Sequence, residues 1–423
     1  MRSSSLRGGQ ENVVSFEQAL EIVLQHASEV RQPEMEKVAL MESLGRILAV
    51  PIRADRDQPP FDRSTRDGFA VRAVEANAGT WLAVAGQVQA GQQWEDGPLK
   101  PDHAIEIMTG APVPEGADAV VMLEHVEQSG TESKRAIRLA EGRKLGEGDN
   151  IVARGSEALA GDDVLAAGTE MKAAEIALAA ACGAATLEVF RRPEVAILAT
   201  GDELVDVEEI PGPQQIRNSN SYGLAALVHN GGGRAVRREA VPDRRDELKQ
   251  AITEARASDL IVLSGGVSMG EYDLVEEVLS SFGAEFFFTG VKMQPGKPVV
   301  FGRLPEREGR RAIYFFGLPG NPVSTQVTFA CFVEPLLRAL HGAATIQPRF
   351  VQATLGERVE GKPELTRVLP AYVDSNRLQP EVKPVVWQGS GDMAAHARAN
   401  CYAILSAGHK HFDRGEVVPI LLR

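Results

Sequence analysis

From Glu194 to about His341 the chain alternates short apolar runs with amphipathic ones, and no other feature restricts the fold as much. "EVAILAT", "RAVRREAV" and "DLIVLSG" read as strands, and "SYGLAALVHN", "RRDELKQAITEA" and "DLVEEVLSSFG" follow them with helical spacing. Strands joined by helical crossovers lie parallel, so residues 191–341 are expected to form a three-layer α/β/α domain. Two further strands, "PVVFGRL" and "AIYFFGL", lead into the helix "PVSTQVTFACFVEPLLRAL". In an open α/β sheet ligands bind at the carboxyl ends of the strands, which directs attention to the loops leaving each strand.

Those loops carry unusual chemistry. "ATGDEL" places Thr200, Gly201, Asp202 and Glu203 after the first strand, and "VPDRRD" places Asp243 after the second. "SGGVSMGEYD" follows the third with Ser264, Gly265, Gly266, Ser268 and Asp273. "MQPGKP" supplies Gly296 and Lys297, and "GLPGNPVS" supplies Gly320, Asn321 as N-cap and Pro322 at the first helical position. Gly265 and Gly270 have the spacing of a nucleotide-triphosphatase phosphate loop, but Glu271 and Tyr272 stand where Lys and Ser or Thr are required. No GxGxxG follows a strand either, so a dinucleotide fingerprint is missing. Glycines that admit a close ligand, together with a carboxylate at the loop's end, suggest a phosphorylated ligand bridged by Mg²⁺.

Each residue has a plainer reading. Asp243 is a good helix cap, Asp202 and Glu203 suit a solvated turn, Asp273 suits the first turn of a helix, and Lys297 suits an open surface. Convergence of five such loops on one sheet edge weighs against these readings taken together.

At 423 residues the chain is expected to hold roughly two to four domains. "SFEQALEIVLQHA" places Phe16, Ala19, Leu20 and Val23 on one helical face behind Ser15 as N-cap, and "VALMESLGRIL" continues in the same style. Residues 1–55 therefore read as a helical N-terminal segment. Residues 56–156 turn to short β-like runs and read as a β-rich insert. "MKAAEIALAAACG" restores the helical pattern, so 157–190 is expected to complete a discontinuous domain with 1–55. Residues 342–423 read as strands broken by turns, a C-terminal β-barrel. The insert has two loops of its own, "FDRSTRDGF" with Asp62 and Asp67, and "MTGAPVPEGAD" with Thr109.

The net charge of −13, without a basic block, argues against a nucleic-acid or anionic membrane surface. Cys182, Cys331 and Cys401 are widely spaced and read as small buried hydrophobes rather than disulfides or zinc ligands. The start, "MRSSSLRGGQEN", lacks a signal peptide's apolar segment, and no run approaches the ~20 apolar residues of a membrane span. A cytoplasmic protein is expected.

Taken in order, "FDRSTRDGFAV", "MTGAPVPEGADAVV", "ATGDEL", "SGGVSMGEYD", "PGKP" and "GLPGNPVS" resemble the molybdenum insertases, the molybdopterin molybdotransferases related to the E domain of gephyrin. The resemblance runs from about Ser15 to the C-terminus. It implies a homodimer that takes adenylylated molybdopterin and molybdate, inserts the metal and releases AMP. It further implies that Asp243 and Asp273 position Mg²⁺, with Glu203 in the same cleft. The cofactor's pyrophosphate would lie against Thr200, Gly201, Ser264 to Gly266, Ser268, Gly320, Asn321 and Pro322. Molybdate would sit near Lys297, Ser324, Arg367 and Ser390. Asp67, Thr109 and the acidic position at Glu157 would serve the partner's cleft, and the molybdopterin adenylyltransferase and recipient molybdoenzymes would be the protein partners. Three positions depart from the family pattern: Gln294 where Lys is frequent, Glu157 where Asp is, and Arg66 where Met is. Two other functions remain open, a molybdopterin adenylyltransferase or pyrophosphatase-like enzyme using the α/β domain alone, and a binding scaffold.

Overall fold

The computed structural model describes residues 12–131, 134–266, 274–306, 311–374, 376 and 379–423. In the α/β domain the strands Arg234–Arg237, Glu194–Ala199, Leu260–Ser264 and Ile313–Leu318 lie side by side and parallel. Their side chains alternate between two cores. Val195, Ile197, Leu260 and Val262 pack with the helices Ser219–Asn230 and Pro322–Thr328 on one face; Ala196, Leu198, Ile261 and Leu263 pack with Arg245–Ala255 and Leu274–Ser281 on the other. Sheets buried on both faces tolerate unbroken apolar runs, which is why Glu194–Ala199, Leu260–Ser264 and Ile313–Leu318 show no polar alternation, whereas the edge strand Arg234–Arg237 carries arginines at its exposed ends.

Val300–Leu304 and Glu285–Phe288 extend this sheet antiparallel, beyond the parallel pattern read from the sequence. The chain between Leu304 and Ile313 is too short for a crossover helix, so the two strands it joins run in opposite directions.

The first helix, Phe16–Ser28, begins with a reciprocal capping box in which Ser15 accepts from the Gln18 backbone N–H and the Gln18 side chain accepts from the Ser15 backbone. Its buried face, Phe16, Ala19, Val23 and Ala27, enters the α/β core, with Phe16 against Phe332 at 5.6 Å between ring centroids. Just before it, Val13–Ser15 pairs in parallel with Gly290–Lys292. Residues 13–28 thus share their core with the α/β domain, whereas it is Met35–Ala39 that pairs antiparallel with Thr186–Phe190. "VALMESLGRIL" is accordingly not a continuing helix: strand pairing claims its start, and a single 3₁₀ turn, Leu40–Ser43, precedes Gly45 at φ 70°.

The insert is built on a six-stranded sheet ordered Ala119–Met122, Gly68–Val71, His103–Ile107, Leu82–Val88, Lys134–Leu139 and Val126–Thr131. In the C-terminal region Thr366–Asp374, Glu381–Pro384, Phe350–Leu355, Val417–Leu422 and Cys401–Leu405 form a barrel, closed by the pairing of the last with the first. Closure removes the sheet edges. Cys182, Cys331 and Cys401 are buried and unbridged. Among the described residues no helix is long and apolar enough to cross a membrane.

Candidate active site

The carboxyl ends of the two central strands meet in a tight backbone junction. Thr200 N–H donates to the Ser264 carbonyl at 3.0 Å, Gly201 N–H to Val241 at 3.2 Å, and Gly265 N–H to Leu318 at 3.2 Å. Gly265 and Gly266 have φ of 90° and 65°; a Cβ on Gly265 would stand 2.5 Å from the Thr200 carbonyl, and one on Gly266 would stand 2.8 Å from Thr200 Oγ1. Only glycine fits so close an approach. Thr200 is itself buried, and its Oγ1 has no partner among the described residues. A buried hydroxyl without a partner is costly unless a ligand completes it.

The third loop of the rim is tied to the others by Asn220, at the start of the Ser219–Asn230 helix. Its amide donates to Ser264 Oγ at 2.9 Å and to the Gly320 carbonyl at 2.7 Å. Asn321 holds the N-cap position with Pro322 behind it, as the sequence suggests, but makes no side-chain capping bond; the turn is held instead by Thr325 Oγ1, which donates to the Pro319 carbonyl at 2.6 Å. Asn220 and Thr325 were not singled out from the sequence. The signal available for Asn220 was the polar run "NSNSY" opening an otherwise apolar helix.

Three carboxylates crowd the rim beside this junction. Asp243 N–H donates to Asp202 Oδ1 at 3.3 Å, and burial, then Asp202, then Glu203 hold the Asp243 carboxyl above its usual range. The helix after it begins at Arg245 with Arg244 at the cap position, so Asp243 does not cap, contrary to the plainer reading of its position. Among the described residues no group of three His, Cys, Asp or Glu is arranged as a metal site. The crowded, oxygen-only set still suits a hard divalent cation, which would relieve the mutual repulsion that raises Asp243. Ser268 and Asp273 lie outside the described residues.

The remaining loop packs against the helix of the rim: a Cβ on Gly296 would stand 2.5 Å from Thr328 Cγ2, and Thr328 Oγ1 donates to the Ser324 carbonyl at 2.8 Å. Ser324 is buried, Lys297 exposed, and Ser390 comes alongside by accepting from Val323 N–H at 2.9 Å. Arg367, on the barrel, pairs in register with Gln294. Gln294 Oε1 and Arg367 Nε are both buried without partners among the described residues, while another Arg367 nitrogen donates to the Glu360 carbonyl, and burial lowers the guanidinium's pKa. Backbone pairing thus sets Gln294 beside Arg367, Gly296 packs on the helix that carries Ser324, and the first turn of that helix bonds to Ser390.

In the insert, Thr109 fixes Asp67, whose Oδ1 accepts from the Thr109 backbone N–H at 2.7 Å and hydroxyl at 2.8 Å. The backbone bond, then the hydroxyl bond, holds the Asp67 carboxyl below the usual range. Glu157 pairs with Arg63 at 2.8 Å, and Asp62 accepts from Arg154 N–H at 2.7 Å. Among the described residues none of these groups bonds to the strand-end loops of the same chain.

Comparison with known proteins gives this arrangement its context. Residues 14–183 match the MoeA N-terminal region (domains I and II), 196–339 a probable molybdopterin binding domain, and 352–422 the MoeA C-terminal region (domain IV). The chain is 36% identical over 399 residues to a molybdopterin molybdenumtransferase of a Nostoc species, covering 92% of this chain and 89% of that one. It is 34% identical over 398 residues to the Bacillus subtilis protein of that name, covering 93% and 90%. Among solved structures, a molybdopterin biosynthesis MoeA protein of Pyrococcus horikoshii superposes with a TM-score of 0.72 at 30% identity, over 97% of this chain and 99% of that one.

Proposed function

This chain belongs to the MoeA family, whose members are molybdopterin molybdenumtransferases, and on that premise we propose how its strand-end loops serve the reaction. The protein is a transferase of molybdenum cofactor biosynthesis that inserts molybdenum into molybdopterin. The substrates are adenylylated molybdopterin and molybdate, and AMP is released. The observation that carries this reading is the junction of Thr200, Gly265 and Gly266: two glycines clear the backbone for a close ligand, and an unpartnered buried hydroxyl points to one.

Thr200 and the backbone of Gly201, Ser264 to Gly266 and Gly320 to Pro322 hold the pyrophosphate. Asn220 keeps two of those loops at fixed separation. Asp243 and Asp273 would hold Mg²⁺, with Glu203 beside them; the ion supplies charge neutralisation to the phosphoanhydride when bound. Lys297, Ser324, Arg367 and Ser390 bind molybdate as a tetrahedral dianion, with the Gln294 amide donating a neutral hydrogen bond. The Arg367 Nε donor, buried and unpartnered, suits that anion. Asp67 and Thr109, fixed to each other, serve the neighbouring cleft in a cytoplasmic homodimer.

Asp243→Asn tests this assignment, because the amide keeps the volume and removes the charge. The variant is expected to melt like the wild type and to release AMP at least ~100-fold more slowly. AMP release at the wild-type rate would remove Asp243 from the reaction.

A further inference from the structure

A second polar cavity, of about 180 Å³, lies away from the strand-end loops, where the segment Gly45–Ile47 and Glu170 meet the linker residue Arg192 and the ends of two α/β-domain helices at Asn230 and His341. It far exceeds the ~10–15 Å³ one water requires and falls below the ~300 Å³ at which pockets for drug-sized ligands begin, so a small inorganic ion fits and a nucleotide does not. Its lining is cationic in a chain of net charge −13. Glu170 is the one acid among the lining residues, and it is shared by Lys172 at 3.4 Å, Arg338 at 3.5 Å and Arg349 at 3.2 Å. Behind the wall, Arg46 pairs with Glu36. No carboxylate among the described residues lies within ion-pair distance of Arg192, whose guanidinium has its pKa lowered first by burial and then by Arg46, with Glu36 pulling the other way more weakly.

Two structural explanations for this charge fall short. Glu334 acts on Arg338 and Arg349, and burial holds its carboxyl above the usual range, but among the described residues it forms no ion pair with Arg192. The two helix carboxyl ends contribute roughly half a negative charge each, confined to the last turn. Neither gives Arg192 a partner. Nor does either account for His341, which is 2% exposed, lines the cavity and has an Nε2 without a partner among the described residues. Gly232, at φ 87°, seats that ring, since a Cβ there would stand 2.4 Å from His341 Nδ1. A neutral imidazole can donate one hydrogen bond, and the Nε2–H tautomer would put that donor beside the guanidinium groups of Arg192 and Arg338, the latter bonded also to Glu170 and the Thr345 carbonyl.

We propose that this cavity binds a small tetrahedral oxyanion of the inorganic phosphate class, held by Arg192, Arg338 and His341 at the junction between the segments around Gly45 and Glu170 and the α/β domain. The bound anion ties the linker at Arg192 to the α/β-domain helix that ends at His341.

The test is calorimetric titration of inorganic phosphate, at low ionic strength, into the full-length wild type, Arg192→Gln, Arg192→Lys and Lys297→Ala. Melting in phosphate-free buffer first establishes that each variant is folded. Arg192→Gln is expected to weaken phosphate binding about tenfold, with Arg192→Lys falling between, because it keeps the charge and loses the fork. Lys297→Ala is expected to leave this binding unchanged. Absence of binding to the wild type, equal binding by Arg192→Gln, or loss of binding in Lys297→Ala would overturn the proposal, the last by assigning the anion to the molybdate loops.

Discussion

Replacing Gln294 with lysine places a cation where the structure has a buried, unpartnered amide oxygen in register with a partly buried arginine. Two effects of opposite sign follow. At about 6 Å and an effective dielectric near 20, each unit pair is worth roughly 3 kcal/mol: a dianion gains about 6 kcal/mol on binding, whereas repulsion from Arg367, present with and without the anion, costs the protein about 3 kcal/mol of stability. Desolvating the ammonium and screening by salt absorb most of the binding gain. The net expectation is molybdate binding tighter by about 1 kcal/mol, roughly fivefold, with a free protein less stable than the wild type. Because ligand stabilisation grows with affinity, molybdate should restore more stability to the lysine variant than to the wild type at the same concentration. Turnover need not rise, since the charge stabilises bound molybdate as well as the transition state. Calorimetric titration of molybdate at low and moderate salt, paired with melting curves, measures both effects. Unchanged or weaker binding by Gln294→Lys would refute the placement of residue 294 at the oxyanion.

Further predictions rest on other parts of the structure. Gly265→Ala forces a Cβ to within 2.5 Å of the Thr200 carbonyl at φ 90° and should cost about 2 kcal/mol or more by chemical denaturation, whereas Gly391→Ala, which meets open space, should cost little. His341 and His396 are held neutral, their pKa lowered to about 4 chiefly by burial, so the stability they contribute is complete above pH 6.5 and lost as pH falls from 6.5 through 4. Each ring is worth up to about 3 kcal/mol at the acid end, and replacing both with glutamine should flatten the stability profile between pH 6.5 and 4.5; an unchanged slope would place the acid sensitivity elsewhere. If the site is shared between subunits, mixing inactive Asp67→Ala and Asp243→Asn should restore part of the activity once subunit exchange is demonstrated. No recovery despite exchange would count against sharing.

Much of the fold was legible because burial on both sheet faces leaves an unmistakable mark: between their polar ends, "EVAILAT" and "DLIVLSG" run as "VAILA" and "LIVL", without the alternating polar residues that a half-exposed strand would need. "VALMESLGRIL" misled because its apolar spacing fits a helix, while its structure is decided by Thr186–Phe190, about 150 residues away in the chain. The destination of Phe16–Ser28 was hidden for the same reason, since periodicity gives a buried face without saying what covers it. In the site, glycines and carboxylates stood out because a loop seldom needs them in that combination. Asn220 did not, because an asparagine near a helix start has an ordinary capping role, and only the three-dimensional junction shows it tying Ser264 to Gly320. Asp243 shows the converse: its sequence context suggested a cap, and the structure leaves its carboxylate to Asp202, Glu203 and the cleft.

The most direct test of the central claim is a stoichiometry. Purified protein is incubated with adenylylated molybdopterin, molybdate and Mg²⁺, and both the AMP released and the molybdenum bound in the extracted pterin are measured over the first turnovers. The account predicts equal amounts of the two from the wild type and neither from Asp243→Asn. AMP released in full while the pterin remains free of molybdenum would contradict it, because the strand-end loops would then serve a pyrophosphatase and not an insertase.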